Sequence, residues 1–453
     1  MFEKFSQKIF ESSQKPEFYK DIFPYDELPK VTFNNIQLPM DMPEDIWITD
    51  TTFRDGQQSI SPFSVDQMVK LYSYLHELDN NSGIIRQTEF FLYTEKDREA
   101  AYKCLSLGYE FPEITSWIRA NKEDFKLVKN MGIKETGILM SCSDYHIFKK
   151  LNMTREEAAQ KYISIVEEAL ANDITPRCHL EDITRADFFG FVVPFVKKLM
   201  ELAKEANKKI KIRACDTLGL GVPYSGAALP RSVQAIIHGL KNYAGVPSDW
   251  LEWHGHNDFY GVVTNSSTAW LYGCASVNST LFGIGERTGN CPLEAMIIEY
   301  GQLKGNTKNM RLNLITEIAE YFQSEFDYSI PPKTPFIGSE FNLTKAGIHA
   351  DGVLKDEEIY NIFDTEKILD RPIVVAVNEY SGLAGIAAWI NTYYKLKDEY
   401  KIDKKDPRIK LIKEWIDEEY ENGRNTIITN EELELLVEKY IPEVFITKKV
   451  RVS

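Results

Sequence analysis

The chain has 453 residues, 43% of them hydrophobic and 27% charged, a composition that supports a buried core and excludes intrinsic disorder. Its formal net charge of −15 at pH 7 opposes an extended nucleic-acid or anionic-membrane surface and favours small-molecule chemistry. The length exceeds one average domain and fits an α/β barrel of about 250 residues with an appended region. Six cysteines, at 104, 142, 178, 215, 274 and 291, form no C-x-x-C pair and read as reduced thiols. The first residues lack the apolar core and cleavage site of a secretory signal, and no run of about 18 apolar residues could span a bilayer. The expected location is the cytoplasm, with no nucleic-acid and no membrane partner.

Residues 1–45 are punctuated by Pro16, Pro24, Pro29, Pro39 and Pro43, which disfavours long regular elements, so they read as an arm packed on the main domain. Strand-like runs then recur at Ile46–Phe53, Gly83–Phe91, Glu113–Ile118, Gly132–Ser141, Ile174–Glu181, Lys209–Thr217, Asp249–His256 and Ala275–Phe282. Between them lie helical patterns at Val65–Leu78, Glu123–Lys129, Thr154–Ala171, Phe188–Ala206, Ser232–Asn242, Gly261–Tyr272 and Pro292–Tyr300. This alternation implies parallel strands with right-handed crossovers, and eight such units close as a (β/α)8 TIM barrel over residues 46–305. An open doubly wound sheet is the competing architecture. It would want a G-x-G-x-x-G turn after its first strand, and none is there. Past Gly305 the rhythm stops. A helix at Leu312–Glu325, a proline-bearing loop at Tyr328–Glu340 and helices near Ser381–Leu396, Lys410–Asn422 and Asn430–Tyr440 make residues 306–453 a linker and mainly helical C-terminal subdomains, with Phe341–Asp351 as a polar insertion.

Barrel chemistry gathers at the C-terminal ends of the strands. The first strand ends D-T-T-F-R-D-G-Q-Q, placing Arg54 and Asp55 there with Gln58 just beyond; a carboxylate can ligate a divalent ion and a guanidinium can stabilise oxyanion charge. On the fifth, period-two alternation puts Arg177, His179 and Glu181 on one face, where burial is costly without partners or a task. The sixth offers Thr217, as a substrate contact or as an ordinary cap. The seventh carries His254 and His256 two apart, so both imidazoles share a face and could meet one ion, a pattern that needs oxygen ligands from elsewhere to become convincing. A glycine-rich loop after the eighth holds Asn290, a possible neutral oxygen ligand.

Together D-T-T-F-R-D-G-Q-Q (50–58), H-L-E-D-I-T-R (179–185), D-T-L-G (216–219), H-G-H-N-D (254–258) and G-I-G-E-R-T-G-N (283–290) resemble the metal-dependent Claisen-condensing barrels of the isopropylmalate, homocitrate and citramalate synthase superfamily, the DRE-TIM metallolyases. K-A-G-I-H-A-D-G (345–352) resembles the histidine motif of their C-terminal subdomain. The resemblance implies that Asp55, His254, His256 and Asn290 hold a divalent metal ion, Mn²⁺ first, with Mg²⁺ or Co²⁺ as alternatives. It implies that Arg54 contacts a 2-oxo acid, that His349 reaches the active site of a neighbouring subunit in a homodimer, and that Glu181 is the acidic residue working with it. The implied reaction is attack of the acetyl-CoA enolate on the ketone, followed by thioester hydrolysis.

Departures bear on the substrate. Phe53, Gln57, Gln87 and Glu89 stand where isopropylmalate synthases carry other residues, and the tail lacks the Gly- and Val-rich strands of their regulatory domain. The stretches F-R-D-G-Q-Q-S and R-Q-T-E-F-F-L-Y, with a tail of this length, are most similar to the Re-type citrate synthase family, which implies oxaloacetate as the 2-oxo acid. Its distal carboxylate would need a second donor. Arg177 and His179 could supply it, with Gln58 and Thr217 alongside, although a buried Arg177 could instead pair with Glu89 or Asp216. Homocitrate synthase (2-oxoglutarate) and isopropylmalate or citramalate synthase are the nearest alternatives. A metal-dependent lyase or carboxyltransferase and a non-catalytic regulatory barrel are those of a different class.

Overall fold

The structure is a computed structural model describing residues 15–326, 328–344, 347–394, 396 and 400–444. The chain divides into two compact units, one ending at Arg311 and one starting at Leu312. In the first, eight parallel strands close into a barrel: β1 (Trp47–Asp50), β2 (Ile85–Phe90), β3 (Glu113–Ile118), β4 (Glu135–Ser141), β5 (Thr175–Glu181), β6 (Lys211–Asp216), β7 (Leu251–Gly255) and β8 (Ser276–Ser279), with β8 pairing back onto β1. After each strand comes a helix: α1 (Val65–Asp79), α2 (Glu95–Ser106), α3 (Phe125–Met131), α4 (Arg155–Ala171), α5 (Val193–Ala206), α6 (Val233–Asn242), α7 (Val262–Leu271) and α8 (Leu293–Lys304). This is the (β/α)8 TIM barrel expected from the alternation of elements.

Helix starts follow local chemistry. Ser64 and Gln67 form a reciprocal capping box on α1, and Thr154 and Glu157 form another on α4, each satisfying N–H groups the first turn leaves orphaned. Two helical expectations are revised. Phe188–Ala206 is not one helix: a π-helical turn at Phe188–Val192 precedes α5, which takes Pro194 in its first turn, where the missing N–H costs nothing. The unexpected α2 buries Ala100, Ala101 and Cys104, a small-residue stripe that gives little amphipathic signal.

Period-two alternation splits each strand between two environments. Cys178 and Leu180 on β5, Ile212 and Ala214 on β6, and Leu251 and Trp253 on β7 are buried apolar residues, and the intervening positions carry the polar set. The barrel interior is accordingly ionic. Arg177, Arg213, Glu89, Glu135 and Glu252 are all buried, at a desolvation cost that only mutual pairing offsets. The arm from residue 15 to 45 is laid along the barrel: Tyr145 donates its hydroxyl to the Phe18 carbonyl at 2.9 Å, and Arg231 donates to the Pro29 and Lys30 carbonyls at 3.2 and 2.6 Å. Residues 1–14 of the expected arm lie outside the described residues.

The second unit contains α9 (Leu314–Glu325), α10 (Gly347–Lys355), α11 (Thr365–Leu369), α12 (Leu383–Tyr393), α13 (Pro407–Glu421) and α14 (Asn430–Tyr440). A short parallel pair, β9 (Leu343–Thr344) and β10 (Val374–Val375), adds to them. Its core gathers Ile386, Trp389, Ile409, Ile412, Ile416, Leu433 and Val437. The stretch read as a polar insertion thus supplies a strand and the start of α10. Among the described residues no helix is long and apolar enough to cross a membrane.

Candidate active site

After β1 the chain turns tightly: the N–H groups of Arg54, Asp55 and Gly56 all reach the Thr51 carbonyl, at 3.1, 2.9 and 3.1 Å. The turn sits hard against the loop after β8. A Cβ on Gly56 would stand 2.9 Å from Ile284 Cγ1, so only the bare backbone lets the two loops close together. That closure brings Asp55 to the residues of β7 and the last loop. His254 Nε2 lies 3.5 Å and His256 Nε2 3.8 Å from Asp55 Oδ2, and Asn290 Nδ2 donates to the same oxygen at 2.8 Å. One candidate donor atom from each of Asp55, His254 and His256 falls within a 4.8 Å cluster, and all three residues are buried.

Electrostatics suit a cation. Burial raises the Asp55 carboxyl, but the Arg54 guanidinium and the Asn290 amide that donates to it hold the group well below the usual carboxylate range. Burial pushes His254 down to about 3 and lowers His256 as well, so both imidazoles are neutral and offer lone pairs. Asn290 Oδ1 and His256 Nδ1 are buried without a hydrogen-bond partner. Two imidazoles, a carboxylate and an orphaned amide oxygen fit a divalent first-row ion or Mg²⁺.

A cavity of ≈ 170 Å³ opens beside this cluster, lined among others by Arg54, Asp55, Gln58, His179, Glu181, Thr217, His254 and His256. Arg54 is fixed on two sides: its Nε donates to Glu89 at 2.9 Å, and Nη1 lies 3.3 Å from Asp55. The guanidinium also sits 5.7 Å from the Trp117 ring centroid. Glu181 contacts His146 Nδ1 at 3.0 Å and Lys150 Nζ at 3.1 Å and accepts from Ser141. Burial raises its carboxyl, yet His146, Ser141 and Lys150 together bring it down to about 2, so it enters any reaction ionised. His179 is driven well below the usual imidazole range by burial and by Arg213, Arg54 and Arg177. It faces the cavity as a neutral ring. Thr217 Oγ1 accepts from the Asp182 N–H at 2.8 Å, which leaves its own hydrogen free to donate.

Arg177 does not join them. It ends deeper in the barrel, donating to Gln87 and Glu135 and lying 3.4 Å from Glu252 and 3.8 Å from Glu89, and it does not line the cavity. Of the two partners weighed for it, the Glu89 pairing is the one present. His349 belongs to the second unit, exposed on α10, with its ring 4.3 Å from that of Tyr360. Phe91, Trp117, Leu139, Cys215, Glu286 and Arg287 line the cavity as well and were not singled out from sequence. Collecting polar residues at strand ends passes over the aromatic and aliphatic walls. Trp117, next to last on β3, could have been found by position alone.

The sequence of residues 45–321 matches the HMGL-like family, a span covering more than half of the chain. The chain belongs to the HMGL-like family. Among curated relatives this HMGL-like barrel is 70% identical, over 97% of both chains, to a "Citrate (Re)-synthase" of Clostridium kluyveri. It is 53% identical to a "Citrate (Re)-synthase" of Syntrophus aciditrophicus, over 97% of this chain and 70% of that one. A hydroxymethylglutaryl-CoA lyase structure from Pseudomonas aeruginosa superposes with a TM-score of 0.51 at 17% identity, covering 64% of this chain and 95% of that one, a likeness of fold alone.

Proposed function

We propose that this protein is an acyltransferase that condenses acetyl-CoA with oxaloacetate and hydrolyses the resulting thioester to citrate and CoA, with addition to the Re face of the ketone. The 70% identity to a Citrate (Re)-synthase across 97% of the chain carries this reading, and the arrangement of Arg54, Asp55, His254 and His256 in one cavity supports it. The methyl group of acetyl-CoA loses a proton, its carbon bonds to the keto carbon, and the keto oxygen gains a proton; water then cleaves the thioester and releases the thiol.

Asp55, His254, His256 and Asn290 would hold the ion, Mn²⁺ in our assignment. When bound it supplies Lewis-acid polarisation of the keto group. Arg54, immobilised between Glu89 and Asp55, is placed to pair with the 2-oxo acid carboxylate in a fixed orientation. With Arg177 committed to Glu135 and Gln87, the distal carboxylate is assigned to His179, Gln58 and the Thr217 hydroxyl. The apolar walls Phe91, Trp117 and Leu139 limit water around the reacting carbons. Glu181 and His349 are assigned to proton handling, His349 from the neighbouring subunit of a homodimer, on the strength of the K-A-G-I-H-A-D-G motif. The assigned location is the cytoplasm. The test is release of free thiol from acetyl-CoA. Release that depends on added oxaloacetate is expected, and release without any 2-oxo acid, or none with any, would overturn the proposal.

A further inference from the structure

His254 can ligate an ion through Nε2 only if its proton resides on Nδ1, and a neutral imidazole has no intrinsic reason to keep it there. The barrel interior supplies one. His254 Nδ1 lies 2.8 Å from Asn278 Oδ1, on the neighbouring strand β8, and Asn278 Nδ2 lies 2.8 Å from Thr49 Oγ1 on β1. The Thr49 hydroxyl in turn contacts Glu252 Oε1 on β7. Thr49, Glu252, His254 and Asn278 are all buried.

The chain has one consistent direction. Glu252 Oε2 accepts from Arg213 Nε at 2.6 Å and lies 3.4 Å from Arg177 Nε. Flanked by these two guanidiniums in the buried interior, Glu252 is the anionic member of an ion-paired cluster. An ionised carboxylate accepts only, so Thr49 must donate to it. A hydroxyl has one hydrogen, so toward Asn278 Thr49 must accept. Asn278 therefore presents its NH₂ to Thr49 and its oxygen to His254, and that oxygen can receive only an N–H. The proton stays on Nδ1, and the Nε2 lone pair faces Asp55 and His256.

We propose that the Arg213–Glu252–Thr49–Asn278 chain is a positioning relay that fixes His254 in its Nε2-ligating tautomer and so sets the affinity of the ion site. None of its four members lines the cavity; they act through His254. The relay is neutral where it meets the ring, which leaves Asp55 as the only formal negative charge among Asp55, His254, His256 and Asn290 and preserves the electrophilicity of a bound dication. The proposal rests on the reading of Asp55, His254 and His256 as metal ligands.

The experiment is titration of the metal-free full-length protein with Mn²⁺ alone, reading free Mn²⁺ by its electron paramagnetic resonance signal, with circular dichroism confirming the fold of each variant. Asn278→Leu, similar in size but unable to accept, is expected to weaken Mn²⁺ binding about 10–100-fold. Asn278→Asp, which keeps the acceptor, should stay within a few-fold of wild type or bind more tightly. Thr49→Val, which frees the amide to turn over, should fall between. Wild-type affinity in a folded Asn278→Leu protein, or equal loss in the Leu and Asp variants, would overturn the relay while leaving the ion site standing. Absence of saturable Mn²⁺ binding in wild type, or no loss on His254→Ala, would overturn the ligand reading itself. Should Asn278→Leu not fold, Asn278→Ser, whose hydroxyl is too short to reach the ring, carries the same expectation.

Discussion

Asp55 shows how a few neighbours decide a residue's chemistry: burial raises its carboxyl, whereas the Arg54 guanidinium and the Asn290 amide donor keep it an anion ready for a cation. Chelation by EDTA is therefore expected to abolish turnover and Mn²⁺ to restore it, with His254→Ala losing both metal and activity; full activity in that variant at unchanged metal content would refute the site. Glu294 illustrates the opposite balance. It is buried on α8, accepting from the Phe282 N–H at 3.1 Å, and burial pushes its carboxyl up to about 7 from a usual value near 4.5. A folded-state value above the unfolded one means the folded protein holds the proton more tightly, so stability falls as pH rises through about 7. Glu294→Gln should leave the melting temperature nearly unchanged near pH 5 and raise it near pH 8 to 9, by an amount equivalent to about 1–3 kcal/mol. A difference independent of pH would contradict this. At this scale the meeting of Asp55, His254 and His256 was legible in the sequence, because two histidines two apart on a strand share a face and the family motifs pointed to the oxygens. Arg177 lies outside the cavity for a physical reason. Alternation gives the face a residue occupies, not its depth along the barrel axis, and two residues separate the layer of Arg177 from that of His179.

Elements set those depths. On β4, Gly137 opens the space into which β5 and β2 project: a Cβ there would stand 2.5 Å from His179 Nε2 and 2.8 Å from Glu89 Oε2. Glu89 cannot easily yield, since it is held by Arg54 at 2.9 Å and Arg213 at 3.1 Å. Gly137→Ala should cost about 1–3 kcal/mol in thermal unfolding and raise KM for the 2-oxo acid by displacing His179 and, through Glu89, Arg54. A variant with wild-type stability and KM would show that the interior is looser than these distances require. The eight strands were readable because β-branched and apolar residues recur between helical stretches. The helix α2 was not, because alanines and a cysteine make its buried face. The π-helical turn before α5 was hidden for a different reason: a periodic apolar run does not reveal a local change in hydrogen-bond register.

At the scale of the whole molecule, the Asp55–His254–His256 cluster and the cavity beside it lie in the first unit and the His349 motif lies in the second. The homodimer proposed here makes a distinctive demand on mixing experiments. Arg54→Ala and His349→Ala proteins, each inactive alone, should recover part of the activity when mixed under conditions of subunit exchange; no recovery despite demonstrated exchange would argue for a site built from one chain. The sequence announced a barrel with an appended helical region, because composition and periodicity report on elements. The short β9–β10 pair was missed, since two-residue strands leave no periodic trace. A methylene more or less in a pocket is worth only about 1–3 kcal/mol of discrimination, so the choice of 2-oxo acid is decided by measurement. The direct test compares kcat/KM for oxaloacetate, 2-oxoglutarate, pyruvate and 2-oxoisovalerate with acetyl-CoA and determines the stereochemistry of citrate formed from labelled substrate. The proposed function requires preference for oxaloacetate with addition to the Re face. Preference for another 2-oxo acid, or Si-face addition, would contradict it.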